Sequence, residues 1–158
     1  MALVRILVDG YSLLHGWPEL ARGKPRHSHT AREELIHRLT QYRDANGTPI
    51  TIFFDGGGAP TGTMKTHSTP ELEVLFSKSW QTADDMIERT ASRLRAYGEI
   101  LVVTDDYAER DMVISLGGMA SSCSNFIQDV EAVQADLQRD VKRYNLRERT
   151  KFNRARHK

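Results

Sequence analysis

A three-layer α/β domain on a mainly parallel sheet of about five strands is the fold this sequence predicts. Three observations predict it. Short apolar runs alternate with amphipathic segments along the chain, Gly, Pro, Asn and Asp punctuate the junctions, and 158 residues suit one domain with one sizeable core. The division expected is an α/β body over residues 1–144 and a basic C-terminal tail over 145–158.

Leu3 to Val8 (LVRILV) is short, apolar and closed by Asp9-Gly10, the pattern of a buried strand. Arg5 interrupts it and no charged segment precedes it, so it reads as a first strand and not as a signal peptide. Residues 17–29 carry two prolines and read as a loop. Thr30 to Asn46 follows with Leu35, Ile36, Leu39 and Tyr42 at helical spacing, a Thr30–Glu33 capping box and Gly47 as its stop. Thr48 to Asp55 is the second strand, and the GGGAPTG that follows excludes regular structure. Leu72 to Ser77 is the third strand. Thr82 caps a helix that runs to Gly98 with Ile87, Ala91 and Leu94 on one face. Glu99 to Asp106 is the fourth strand, Tyr107 to Leu116 a short helix, and MASSC a brief fifth strand. The last helix, Ser124 to Tyr144, has Phe126, Ile127, Val130, Val133, Leu137 and Val141 on its apolar side. The tail beyond about Asn145 is expected to be disordered when free.

Composition narrows the classes. With 39% hydrophobic residues the chain suits a globular fold, and no apolar run approaches the roughly 20 residues of a membrane span. The single cysteine, Cys123, allows no internal disulfide and points to a cytoplasmic location. Its neighbours (SSCSN) offer no base, so it reads as a buried thiol and not as a nucleophile. The net charge of +1 conceals an asymmetry: residues 142–158 hold eight Lys or Arg and one Glu, whereas the preceding body is net acidic. A basic extension on an acidic body suggests a polyanionic partner.

The strand ends share one chemistry. Asp9, Asp55 and the Asp105-Asp106 pair each close a predicted strand, and Asp84 with Asp85 opens a helix that starts on the same side of the sheet. Taken singly, an aspartate after a strand is a turn residue, and acids in a first helical turn complement the dipole. Taken together, the predicted fold gathers them at the carboxyl rim of a parallel sheet, where ligand crevices form. Asp84 and Glu88, four apart, share one helix face. So many carboxylates at one rim repel one another unless a hard divalent cation compensates, and oxygen ligands suit Mg²⁺ or Mn²⁺. The six histidines are scattered and no Cys/His cluster has zinc spacing. A carboxylate-held cation that takes further ligands from a phosphate supports phosphodiester hydrolysis.

Four ordered stretches carry a family resemblance: ILVDGYSLLH with WPEL behind it, Phe54-Asp55, FSKSWQTADDMIE, and VVTDDYAER. Over residues 4 to about 130 the chain resembles the NYN branch of the PIN-like nucleases, within it the YacP-like group. The resemblance implies a PIN-like, Rossmann-like domain with the first strand at the centre of the sheet and a Mg²⁺- or Mn²⁺-dependent endoribonuclease centre with no nucleotide cofactor. Carried over residue by residue, it implies catalytic Asp9, Asp55, Asp84 and Asp106, with Asp9, Asp84 and Asp106 holding the metal and Asp105 as the extra acid; Asp85, on the same predicted rim, is a further candidate ligand. It also suggests RNA as substrate and, by analogy with some members, the ribosome as a partner. One departure stands out: the family's DGYN has become DGYS, so Ser12 offers a shorter hydroxyl where an amide is usual.

Single-stranded RNA needs cations and stacking surfaces. Lys78 and Trp80 lie in the loop that enters the Thr82 helix, although Trp80 equally suits a core edge. Arg22, Lys24 and Arg26 form a basic loop, Arg110 follows Asp106 by one helical turn, and the tail mixes Tyr144 and Phe152 with its basic residues. GGGAP lacks the ending of a P-loop and reads as a flap. The leading expectation is a metal-dependent endoribonuclease leaving a 5′-phosphate and a 3′-hydroxyl. The alternatives are a catalytically weak or inactive RNA- or ribosome-binding module, and a phosphatase or small-nucleotide hydrolase on the same acidic rim.

Overall fold

Residues 3–56 and 68–156 are described in a computed structural model. Strands β1 (Leu3–Asp9), β2 (Ile50–Phe54), β3 (Leu72–Phe76), β4 (Glu99–Val103) and β5 (Met119–Ser121) form one sheet in the order β3-β2-β1-β4-β5. Every pairing is parallel, so β1 is central, with Val8 level with Ile52 on one side and Val103 on the other. The expected sheet is thus present, and all-parallel.

Strand periodicity divides the core. Ile6 and Val8 face one way and pack with Leu13 and Leu14 of α1 (Gly10–His15), Leu35 and Leu39 of α2 (His29–Asn46), and Phe126 and Val130 of α5 (Cys123–Arg156). Leu7, Phe53, Ile100 and Val102 face the other way, against Ile87 and Ala91 of α3 (Ala83–Leu94) and Val113 of α4 (Tyr107–Ser115). A sheet covered on both faces explains why the strands read as near-continuous apolar runs.

Several local expectations change. Helix α1 was not foreseen: the chain turns from β1 straight into six helical residues, capped by the Asp9 side chain. Gly10 begins it because a Cβ there would come within 2.4 Å of the Phe54 ring, a close approach rather than an unusual backbone angle. The expected 17–29 loop contains a 3-10 turn, Pro18–Ala21, and buries Trp17 and Leu20. Ser28, not Thr30, caps α2. Its extended backbone lets Oγ accept from the Ala31 N–H at 3.2 Å, whereas Thr30 is already helical. β4 stops at Val103 because Thr104–Asp106 build the entry to α4. α5 continues past Tyr144 to Arg156, so the tail expected to be disordered is helical. Apart from Gly56, the glycine-rich segment and the flap expected of it fall outside the described residues.

Candidate metal centre and cleft

Three elements deliver one carboxylate each to the carboxyl rim of β1. Asp9 ends β1, Asp84 lies in the first turn of α3 and Glu109 in the first turn of α4, and one oxygen of each lies within 4.8 Å of the others. Thr82 and Asp85 form a reciprocal capping box, Thr82 Oγ1 accepting from the Asp85 N–H at 3.1 Å and Asp85 Oδ2 accepting from the Thr82 N–H at 3.2 Å. The box occupies Asp85 and leaves Asp84 for the cluster.

Glu109 was missed in the sequence. It is 5% exposed, among the few buried charged residues described. Thr104, fully buried, donates its hydroxyl to Glu109 Oε2 at 3.2 Å and accepts from the Asp106 N–H at 3.2 Å. Glu109 Oε1 is buried with no hydrogen-bond donor facing it. One signal was available: Glu109 stands on the same stripe as Met112, Val113 and Leu116, an acid on the apolar side of a short helix. Asp106 three residues earlier disguised it, since Asp-x-x-Glu reads as a capping box.

The electrostatics follow from this packing. Burial first, then the adjoining Asp84 carboxylate, which a protonated Glu109 can meet with a hydrogen bond, and the charge of Asp9 push Glu109 up to about 9, against the bond from Thr104. Burial also raises Asp9 to about 6, helped by the charges of Asp84, Asp55 and Asp106 and opposed by the Ser12 N–H that donates to Asp9 Oδ1 at 3.3 Å. An all-oxygen trio with a buried, donorless Oε1 fits a hard divalent cation, which would replace the proton that otherwise relieves the repulsion.

The other expected acids take different places. Asp55 is exposed at the end of β2 and lines the cleft; buried Ser77 donates its hydroxyl to Asp55 Oδ1 at 3.0 Å and accepts from the Gly56 N–H. Asp106 is the N-cap of α4, its Oδ1 accepting from the Ala108 and Glu109 N–H groups, so it fixes the turn that carries Glu109. Asp105 does not join the trio: its Oδ1 accepts from the Cys123 N–H at 2.9 Å, tying the β4–α4 loop to the start of α5. Asp85 is held in its box, and Glu88 is exposed beside Arg89 on a shallower groove. Backbone N–H groups thus hold Asp85, Asp105 and Asp106 away from a shared cation.

A cleft of about 470 Å³ opens over Asp9 and Asp84 and is lined as well by Asp55, Tyr11, Ser12, His15, Arg26 and His27; Glu109, buried, does not line it. Tyr11 packs tilted against His27 at 4.3 Å and against Phe54 at 5.0 Å between ring centres, which anchors this part of the cleft to the core. Ser12 is a tie more than a free ligand: its Oγ accepts from the Asp105 N–H at 3.2 Å and from the Cys123 thiol at 3.6 Å. Cys123 itself is fully buried and its thiol is pushed up to about 12, chiefly by burial, as expected of an inert cysteine. Trp80 is 68% exposed, so it does not cover the core edge; Lys78, two residues before it, is exposed too. Arg22 pairs with Glu34 at 3.4 Å and Lys24 is exposed, while Arg26 is the member of that basic loop that reaches the cleft. Arg110 lies over the Tyr107 ring at 4.3 Å and donates to the Asp105 carbonyl, on the rim of the β4–α4 loop. No helix among the described residues is long and apolar enough to cross a membrane.

Comparison with known proteins agrees with this architecture. Residues 6–158 match the family model of the YacP-like NYN domain. The chain is 30% identical over 139 residues to a Bacillus subtilis (strain 168) protein described as "Uncharacterized protein YacP", covering 87% of this chain and 81% of that one. Two crystal structures of Rae1 (YacP) from Bacillus subtilis superimpose on it. The W164L mutant does so with a TM-score of 0.75 at 28% identity, covering 89% of this chain and 82% of that one; the other does so with a TM-score of 0.74 at 29% identity, covering 90% and 81%. The resemblance carried by the four stretches is borne out.

Proposed function

We propose, for a chain that belongs to the YacP-like NYN domain family and hence has a nuclease-type, RNA-related function, that it is a metal-dependent endoribonuclease. The observation that carries this reading is the convergence of Asp9, Asp84 and the buried Glu109 from three separate elements, with Asp9 and Asp84 lining one cleft. Folding three carboxylates together costs stability, and a cation that offsets the cost gives the arrangement a purpose.

Mg²⁺ or Mn²⁺ there would supply an activated water and offset charge on the phosphate and the departing oxygen. Asp9, Asp84 and Glu109 would hold the ion, a set that differs from the expected one by Glu109 in the place of Asp106 and by the loss of Asp85 and Asp105, which are engaged elsewhere. Asp106 acts through Glu109 by capping its helix. Asp55, fixed by Ser77, faces the cleft as a further ligand or as the acceptor of the water's proton. Arg26, His15 and His27, which line the same cleft, receive the neighbouring phosphates, and Trp80 with Lys78 holds a flanking nucleotide by stacking and charge. The products are a 5′-phosphate and a 3′-hydroxyl. The substrate is single-stranded RNA, including mRNA on or near the ribosome, in the cytoplasm.

The test is cleavage of end-labelled RNA in Mn²⁺ by wild type and by folded Asp9→Asn, Asp84→Asn and Glu109→Gln variants. Loss in all three supports the assignment. Cleavage unchanged in all three refutes this centre; RNA binding without cleavage by any form supports the binding-module alternative. Phosphomonoester turnover with little RNA cutting supports the phosphatase.

A further inference from the structure

The ladder between β1 and β4 ends where Val8 meets Val103, so pairing between these two strands stops before Asp9 on one side and well before Glu109 on the other. Ser12 makes the join beyond it. Its N–H donates to Asp9 Oδ1 at 3.3 Å, which fixes it to the first carboxylate. Its Oγ accepts from the Asp105 N–H at 3.2 Å, a residue 93 positions away, and from the Cys123 thiol at 3.6 Å, 111 positions away. Asp105 Oδ1 in turn accepts from the Cys123 N–H at 2.9 Å. Three hydrogen bonds thus close a triangle on α1, the β4–α4 loop and the first residue of α5, and its Cys123 corner is fully buried.

The triangle leads directly to the third carboxylate of the trio. Asp105 lies between Thr104 and Asp106. The Thr104 hydroxyl accepts from the Asp106 N–H and donates to Glu109 Oε2, and Asp106 Oδ1 accepts from the Glu109 N–H. Every step from Asp9 to Glu109 is therefore one hydrogen bond or one peptide link. A hydroxyl oxygen has two lone pairs, and two donors already approach that of Ser12, so it is not itself a cation ligand although it lines the cleft. We infer that Ser12 is a positioning residue: through Asp105 and Cys123 its hydroxyl holds the Glu109 turn at the separation from Asp9 that a divalent cation needs. This role rests on the reading of Asp9, Asp84 and Glu109 as a cation site.

Mn²⁺ binding to the metal-free full chain tests it without RNA, read from the loss of the free ion's paramagnetic resonance signal. Ser12→Ala leaves all three carboxylates in place and is expected to weaken binding by about 10–100-fold, the range for groups that orient metal ligands. Ser12→Thr, which keeps the hydroxyl on the same carbon, is expected to stay within a few-fold of wild type. Cys123→Ala removes one corner of the triangle and is expected to weaken binding less than Ser12→Ala; it decides the matter should Ser12→Ala not fold, and wild-type binding by it would then count against the inference. A merely structural role lowers the melting temperature of Ser12→Ala in chelator and leaves the Mn²⁺ affinity of the folded protein unchanged, and that result overturns the inference. So does a Ser12→Thr protein that binds as weakly as Ser12→Ala. Asp84→Asn separates the two levels. If it loses Mn²⁺ binding while Ser12→Ala keeps it, the trio stands and the tie alone is refuted; if both bind like wild type, the cation site falls and the role of Ser12 with it.

Discussion

Replacing Glu109 with glutamine separates the cation site from the fold. Glu109 has an ordinary value of 4.5 and is raised to about 9 in the folded chain, so in metal-free protein at neutral pH the folded state holds a proton that the unfolded state has released. A carboxyl raised on folding contributes stability that is complete below 4.5 and is lost as pH rises through about 9. At pH 7 the loss spans about 2.5 pH units at about 1.4 kcal/mol each, about 3.5 kcal/mol in all. Asp9, raised to about 6, adds a loss of the same sign that ends near pH 6. Between about pH 6 and 8.5, therefore, Glu109 dominates the slope. The glutamine amide of the variant keeps a donor to Asp84 and never ionises. In chelator, Glu109→Gln is expected to melt above wild type at pH 7 by roughly 7–14 °C, at about 2–4 °C per kcal/mol for a chain of this size, and to lose the wild type's decline with pH. With Mn²⁺ the order reverses: the wild type gains stability as the cation displaces the proton, and the variant responds little. Thermal unfolding across that pH range, with and without Mn²⁺, reads both effects. Parallel wild-type and variant curves in chelator, or equal stabilisation of both by Mn²⁺, would refute the reasoning.

Three further perturbations address neighbouring parts. Gly10→Ala drives a methyl into the Phe54 ring and is expected to cost about 1–3 kcal/mol in urea unfolding, whereas Gly23→Ala, which meets no atom but has a positive backbone angle, should cost less. Trp80→Ala is expected to weaken single-stranded RNA binding by about 1–3 kcal/mol with unchanged melting temperature, measured by fluorescence anisotropy. Ser77→Ala frees Asp55 and leaves the Gly56 N–H unanswered, so a stability loss of about 1 kcal/mol is expected together with a fall in the rate of RNA cleavage that exceeds the fall in affinity.

The central strand shows how far local pattern reaches. ILVDG could be read as a buried strand that ends at a crevice because apolar continuity and an abrupt carboxylate are both written in neighbouring residues. The helix that follows was hidden because six residues beginning with glycine carry too little periodicity, and only Phe54, from another strand, explains the glycine. Ser28 and Thr30 are both competent caps; backbone geometry two residues apart chose between them.

The acids divide in the same way. From the sequence alone came the alternation of elements, the parallel sheet, and the gathering of carboxylates on one rim, since these depend on local apolar runs and on the direction in which parallel strands end. Only the tertiary structure decided which carboxylates meet. Asp85, Asp105 and Asp106 found backbone N–H groups within reach and became caps. Glu109 was turned inward because the face of α4 that buries Val113 against the sheet also carries Glu109 to Asp9 and Asp84. Which side of a short helix faces the core is settled by packing against residues distant in the chain, and no spacing within Thr104–Arg110 contains it.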